Sequence, residues 1–273
     1  ELAAAEYTRA IEIEPKEPLF YSNRAILNAF SLDNNEKALS DYNISVATAK
    51  DNDLNHINYS NNLSYYLTKR AYYFKYIENY DNAILDYTTM IDLELENANY
   101  YLDRANVYEK IKKYDLALAD YEKAFELSLD NHGKTTVLNN RAILYSDQGN
   151  HELAAAEYTR AIEIDPKEPL YYSNRGHAYY DLGDQEKALS DFNISIALAK
   201  ENDNKNYAYS FNLVYYLNNR ANYFKYIEDY DNAILDYSSC IELEPENANY
   251  YKNRANCYNS LKDFNNALFD FTR

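Results

Sequence analysis

An all-helical fold of stacked helix pairs is what this sequence predicts, and three observations carry the prediction. Arg-Ala and Arg-Gly pairs recur at Arg24, Arg70, Arg104, Arg141, Arg175, Arg220 and Arg254, with separations of 46, 34, 37, 34, 45 and 34 residues. The base unit is therefore 34 residues, a period that belongs to solenoids of paired helices. Turn formers are scarce, four Gly and five Pro in 273 residues, which points to helices with short connections. Finally, ELAAAEYTRAIEI begins at Glu1 and again at Glu152, followed each time by PKEPL and YSNR stretches, so the chain is two copies of one long block.

Taken in order, a leading half unit at 1–17 is followed by units at 18–52, 64–97, 98–131, 135–168, 169–202 and 214–247, and by a partial unit at 248–273. Insertions at 53–63 and 203–213 separate some of them. In the unit from Thr135 to Glu168, Leu138, Ala142, Tyr145, Ala154, Tyr158, Ala161 and Pro166 stand at positions 4, 8, 11, 20, 24, 27 and 32. Small residues at 8 and 20 let two antiparallel helices approach, aromatics at 11 and 24 fill the space around them, and Pro at 32 stops the second helix. Position 20 is Ala throughout (Ala38, Ala83, Ala117, Ala154, Ala188, Ala233, Ala267), with Tyr or Phe four residues later.

This pattern resembles the tetratricopeptide repeat family along essentially the whole chain. The resemblance implies a right-handed superhelix of helix pairs whose first helices line a concave groove. Two departures stand out: Tyr or Leu replaces the usual Trp at position 4, and position 7 is Arg where the family favours Leu.

Composition narrows the function. The chain has 27 basic and 44 acidic residues, a net charge of −17 that repels nucleic acid and anionic membrane surfaces. No apolar run reaches the ~18–20 residues of a spanning helix, and the chain reads as soluble. The cytoplasm is its default compartment, and an extracellular one is also compatible. Thirty-three Tyr and no Trp suggest that much of the tyrosine is half exposed. No phosphate loop, nucleophile elbow, His-Glu-x-x-His or zinc-spaced cysteine pair is present, so neither catalysis nor a metal or other cofactor is expected. Cys240 and Cys257 fall at normally small, buried positions and read as structural thiols, with a disulfide between adjacent units as the alternative.

The two insertions occur where Lys50 and Lys200 replace the terminating Pro. Eleven residues are about three helical turns, so a second helix could lengthen or the next first helix start early without rotating its apolar face. Alternatively, His56 and Tyr59, or Tyr207, Tyr209 and Phe211, form a docking element.

By resemblance, unit positions 2, 5, 9, 12 and 13 face the groove. They place there Tyr65, Thr68, Tyr72, Lys75 and Tyr76; Asn99, Asn106 and Lys110; and Asn139 and Ile143. Ser173, His177 and Tyr180 follow, then Tyr215, Asn218, Asn222, Lys225 and Tyr226, and last Lys252 and Asn256. Tyr supplies contact area and Asn adaptable hydrogen bonding, a lining suited to a protein or extended peptide; simple solubilising residues are the alternative. The co-chaperone grip on a terminal carboxylate needs, around Asn174, Lys and Asn at positions 5 and 9 of the preceding unit and Lys and Arg at positions 2 and 6 of the next, but these positions hold Asn139, Ile143, Tyr215 and Asn219, so no such clamp is expected.

The leading functional expectation is a non-enzymatic binding scaffold. Its rival is a structural subunit: the chain starts and ends inside units, without polar capping helices, which fits a piece of a longer array or head-to-tail self-association into a filament.

The acid at position 23 recurs as regularly as the arginine at position 7. Stacking suggests a ladder in which each arginine takes the acid of the preceding unit: Arg24 with Glu6, Arg104 with Asp86, Arg141 with Asp120, Arg175 with Glu157 and Arg254 with Asp236. Pairing inside one unit is the fallback geometry, and independent solvated charges the third possibility.

Overall fold

A computed structural model describes residues 2–54, 62–205 and 212–273. Among these residues there are fifteen helices and no strand. They form two compact units, Glu1–Leu129 and Asp130–Arg273. The first contains α1 (Leu2–Ile13), α2 (Pro18–Phe30), α3 (Asn35–Leu54), α4 (Leu63–Tyr76), α5 (Tyr80–Leu93), α6 (Ala98–Lys110) and α7 (Tyr114–Leu127). The second contains α8 (Asn131–Asp147), α9 (His151–Ile164), α10 (Pro169–Asp181), α11 (Gln185–Lys205), α12 (Leu213–Tyr226), α13 (Tyr230–Leu243), α14 (Ala248–Ser260) and α15 (Phe264–Phe271). Within each unit, helices pack chiefly on their sequence neighbours, as in a helical repeat.

Each hairpin closes on its small residues. Ala25 and Ala38, Ala71 and Ala83, Ala105 and Ala117, Ala142 and Ala154, and Ala221 and Ala233 are all fully buried. In the remaining full hairpin, Gly176 allows the closest approach, since an added Cβ would meet the Phe192 ring at 3.2 Å and the Ala188 carbonyl oxygen at 3.3 Å. The turn between first and second helix passes through a left-handed residue in every hairpin: Asp33, Glu78, Lys112, Gly149, Gly183, Glu228 and Lys262. Only two of these are glycine, so most hairpins hold a side chain where the backbone disfavours one.

Helix starts follow their capping chemistry. Glu17 and Glu168 accept hydrogen bonds of 3.0 Å from the amides of Leu19 and Leu170, with Pro18 and Pro169 in the first turn. The second helices that precede the two insertions are the long ones: α3 has 20 residues and α11 has 21, against 14 in α5, α7, α9 and α13. Loss of Pro at position 32 is not enough by itself, since Leu95 and Leu129 hold that position after the 14-residue α5 and α7. His56, Tyr59, Tyr207, Tyr209 and Phe211, the suggested docking element, lie outside the described residues.

Tyrosine is more deeply used than its abundance suggested. Tyr42, Tyr66, Tyr73, Tyr87, Tyr121, Tyr216 and Tyr237 are among the largest fully buried side chains. Without tryptophan, the wide space beside two small residues goes to a phenol, whose hydroxyl then reaches a polar rim. Tyr73 and Tyr223, for example, donate to the backbone carbonyls of Asn35 and Gln185 at 2.9 and 3.1 Å. Cys240 and Cys257 are free and fully buried, and burial pushes their thiols up to about 12 and about 11.

Candidate functional site

The recurring spacing of Arg and acid within this chain becomes a row of largely part-buried ion pairs, but in the other register. Arg24 binds Asp41, Arg70 binds Asp86, Arg104 binds Asp120, Arg141 binds Glu157, Arg175 binds Asp191, Arg220 binds Asp236 and Arg254 binds Asp270. Every pair lies inside one hairpin. The expected partners Glu6 for Arg24, Asp86 for Arg104, Asp120 for Arg141, Glu157 for Arg175 and Asp236 for Arg254 are therefore corrected; Glu6 instead meets Arg9 at 3.0 Å in solvent. The reason is the close approach at positions 8 and 20, which sets position 7 directly opposite position 23 of the same hairpin.

Six of these arginines also reach backward through Nη1. The acceptors are Thr8, Asn43, Thr88, Thr159, Asn193 and Ser238, each two residues after the acid of the preceding repeat. Adjacent hairpins are thus joined by a neutral acceptor, while the carboxylate stays at home. Hydrogen bonding to that carboxylate raises the pKa of Arg24, Arg104 and Arg254. These side chains hold the repeats together; the exposed chemistry lies on the other face of the first helices.

In the first unit that face is aromatic and charged. Tyr72 and Tyr76 on α4 are 50% and 56% exposed, and Phe30 of α2 meets the Tyr76 ring edge-on at 4.9 Å. The Tyr72 hydroxyl stands 3.5 Å from Asp103 of α6, and Lys75 lies 5.0 Å from the Tyr72 ring centre. Asn99 and Lys110 are exposed, and Tyr65 is half-buried. Thr68 is turned inward, donating to the Ser64 carbonyl at 2.8 Å with the Met90 sulfur at 3.1 Å. Asn106 accepts from the buried Tyr121 hydroxyl at 2.7 Å.

The second unit contains a true cleft. Asn139, Ile143 and Ser146 of α8, Tyr158 of α9, Leu170, Asn174, His177, Ala178 and Asp181 of α10, and Tyr215 of α12 enclose about 440 Å³. The Asn174 amide donates to Asn139 at 3.3 Å. His177 lies edge-on to Phe192 at 4.9 Å, and the crowded apolar wall holds its pKa below the ordinary histidine value, with Asp181 opposing. Farther along, Tyr180 stacks on Tyr226 at 6.2 Å and meets Tyr223 edge-on at 5.8 Å; Lys225 lies 5.7 Å from the Tyr226 ring centre. Lys252 and Asn256 are exposed, and Asn218 is half-buried.

Four groove residues expected from the sequence, Asn139, Ile143, His177 and Tyr215, are therefore brought together in one cleft. Ser173 is not available there: it is fully buried and accepts from the Asn219 amide at 3.0 Å. Asn222 is already committed, accepting from the Tyr237 hydroxyl at 2.6 Å. The sequence reading missed Asp181 and Leu170 as lining residues, although both occupy inward positions, 13 and 2, of the unit beginning at Pro169. Among the described residues, no group of three His, Cys, Asp or Glu side chains could hold a metal ion, and no helix is long and apolar enough to cross a membrane.

Hairpins with small residues at their contact, repeated along the chain, define a helical-repeat protein. Profiles described as Tetratricopeptide repeat match residues 96–167, 139–203 and 214–247. The chain belongs to the tetratricopeptide repeat family. Over 114 residues, 42% of this chain, it is 31% identical to RNA polymerase II-associated protein 3 of Rattus norvegicus. The corresponding human protein matches at 32% identity over the same length. The match spans 16% of these relatives' own length. Among solved structures, a tetratricopeptide repeat protein from Parabacteroides merdae superposes with a TM-score of 0.57 at 18% identity, covering 92% of this chain and 89% of that one. The MamA protein gives 0.53 at 18% identity, covering 71% and 97%. At these identities the likeness is one of fold.

Proposed function

We propose that this protein is a non-enzymatic scaffold that binds a protein or an extended peptide through the Tyr- and Asn-rich face of its first helices. The observation that most supports this reading is the exposure of Tyr72, Tyr76 and Tyr226 in a chain that buries many other tyrosines completely. Half-exposed rings on a rigid helix offer large contact area with little entropy to lose, as binding anchors require.

The test is selection of binding peptides from a random displayed library, followed by affinity measurement on variants. Tyr72→Ala with Tyr76→Ala, and Tyr226→Ala separately, should weaken the selected peptides about tenfold or more with unchanged helical circular dichroism. Unchanged affinity in all of these variants would place the binding face elsewhere. Self-assembly is the competing reading, favoured by the exposed Phe264, Leu268, Phe269 and Phe271 of α15. It requires light scattering to grow with concentration, whereas the scaffold reading expects a constant single-chain mass.

A further inference from the structure

The cleft of the second unit has one fixed charge. Of its ten lining residues only Asp181 is a carboxylate, and none is Lys or Arg. The nearest arginine in sequence, Arg175, is turned away into its pair with Asp191 at 2.8 Å. Asp147, on α8, adds a second negative charge close to the Tyr158 hydroxyl. His151 Nδ1 lies 3.5 Å from Asp181, a contact that is ionic only when the imidazole is protonated. The Asp181 side chain keeps 44% of its surface, so it is open to an incoming group.

The rest of the wall is divided between apolar and amide surface. Ile143, Leu170 and Ala178 supply hydrocarbon, while Asn139 and Asn174 supply amides linked to each other, and Asn174 also hydrogen-bonds the buried Tyr158 hydroxyl. A long side chain with an apolar stem and a cationic end matches this division, because such chains lay their methylenes on apolar surface while the head keeps a polar partner. The volume, about 440 Å³, falls within the ~300–1,000 Å³ of ligand clefts and leaves room for flanking backbone beside the amides.

Duplication within the chain supplies an internal comparison. The α2 copy, PLFYSNRAILNAF, and the α10 copy, PLYYSNRGHAYYD, agree at the arginine and its neighbours. They diverge toward the C-terminal end of the helix, where the half-buried Ile26, the buried Ala29 and the exposed Phe30 are replaced by His177, Tyr180 and Asp181. The copy that carries the acid is the one that borders the cleft, and the protein's net charge of −17 favours a basic partner over an acidic one.

We propose that this cleft is a subsite for a lysine or arginine side chain of a bound peptide, with Asp181 taking the cation, Ile143, Leu170 and Ala178 the aliphatic stem, and Asn139 and Asn174 the flanking backbone. This rests on the peptide-scaffold reading and names the chemistry of one of its subsites. A basic side chain here gains a charge-assisted hydrogen bond, whereas an acidic one faces Asp181 and Asp147 with no compensating cation among the lining residues.

The test uses the intact chain and capped pentapeptides Ac-AAKAA-NH2 and Ac-AARAA-NH2, with counterparts carrying norleucine or glutamate at the centre, read by amide and imidazole NMR shifts. The basic peptides should shift resonances of residues 139–146 and 170–181 saturably. Norleucine should bind about tenfold more weakly and glutamate not at all. Asp181→Asn should weaken the lysine peptide about tenfold, Asp181→Glu should restore most of the affinity, and Glu186→Gln, an exposed acid outside the cleft, should change nothing. Equal binding of the glutamate or norleucine peptide, or an unchanged affinity in Asp181→Asn, overturns the cationic assignment while leaving peptide binding in place. n-Butylamine binding as tightly as the lysine peptide overturns the peptide as the source of the cation. Absence of saturable shifts with any pentapeptide overturns the subsite, while the library-selected peptides and their tyrosine variants test the wider scaffold reading separately.

Discussion

Arg104 and Asp120 stand sixteen residues apart on the two helices of one hairpin, and Arg104 Nε and Nη2 donate to the two carboxylate oxygens at 2.7 and 2.8 Å. Nη1 of the same guanidinium reaches Thr88 of the preceding repeat at 3.0 Å. Truncating the acid leaves a mostly buried cation without its partner, so Asp120→Ala should cost about 3–5 kcal/mol in urea unfolding. Thr88→Ala removes only the bond between repeats and should cost about 1 kcal/mol. Equal losses for the two variants would show that the hairpin pair has no privileged role.

Tyr87 and Tyr237 occupy equivalent places in the two copies, but their hydroxyls differ. Tyr237 donates to Asn222 at 2.6 Å, whereas the buried Tyr87 hydroxyl has no hydrogen-bond partner among the described residues, because Tyr72 stands where the other copy has Asn222. Tyr237→Phe should therefore cost about 1 kcal/mol, and Tyr87→Phe should be neutral or slightly stabilising. Thermal unfolding of both variants, with Tyr72→Asn added to supply an acceptor for Tyr87, checks the assignment. A larger loss for Tyr87→Phe would contradict it.

The left-handed turn residues carry strain that glycine would relieve. Lys112 has φ +59° and Glu228 φ +62°, while Gly183, at the same turn position, has φ +78°. Lys112→Gly should stabilise the fold by up to about 1 kcal/mol, and Gly183→Ala should destabilise it by a similar amount. Nothing lies within 4 Å of a Cβ added at Gly183, so the cost there would be conformational and not a clash. Denaturation midpoints moving in the same direction for both variants would reject this account.

Acid should release one identifiable interaction in the first unit. Hydrogen bonding, led by Ser64 with help from Asn97 and Tyr100, holds Glu94 below its ordinary pKa of 4.5, with desolvation opposing. A carboxylate with a depressed folded pKa binds its proton more readily in the unfolded chain. Its contribution is thus fully present above about pH 4.5 and is lost as pH falls through the lower folded value. Ser64→Val, which installs the residue found at Val214 in the second copy, should raise the Glu94 midpoint in carbon-detected NMR titration. An unchanged midpoint would remove Ser64 from the explanation.

Much of the architecture was legible in the chain itself, for a physical reason. The 34-residue period, the small residues at positions 8 and 20 and the stopping Pro are local signals: each acts on its own hairpin, and repetition makes them unmistakable. The lengthened α3 and α11 were legible as one of two outcomes of the eleven-residue insertions that follow Lys50 and Lys200, the other being an early start of the next first helix; loss of Pro alone does not mark them, since Leu95 and Leu129 also replace it after the 14-residue α5 and α7. The arginine partners were not. In a repeat, the acid of the same unit and the acid of the preceding one recur with the same period, so the two registers look alike in sequence, and only the packing of Ala105 on Ala117 sets Arg104 against Asp120 and not Asp86. Exposure on the first helices was likewise a tertiary decision. Ser173 and His177 are one turn apart on α10, yet Asn219 of α12 engages the buried Ser173 while His177 remains at the wall of the cleft. Asp181 gained its place there because α8, α10 and α12 lie side by side, a juxtaposition that depends on how successive hairpins stack and that no single repeat encodes.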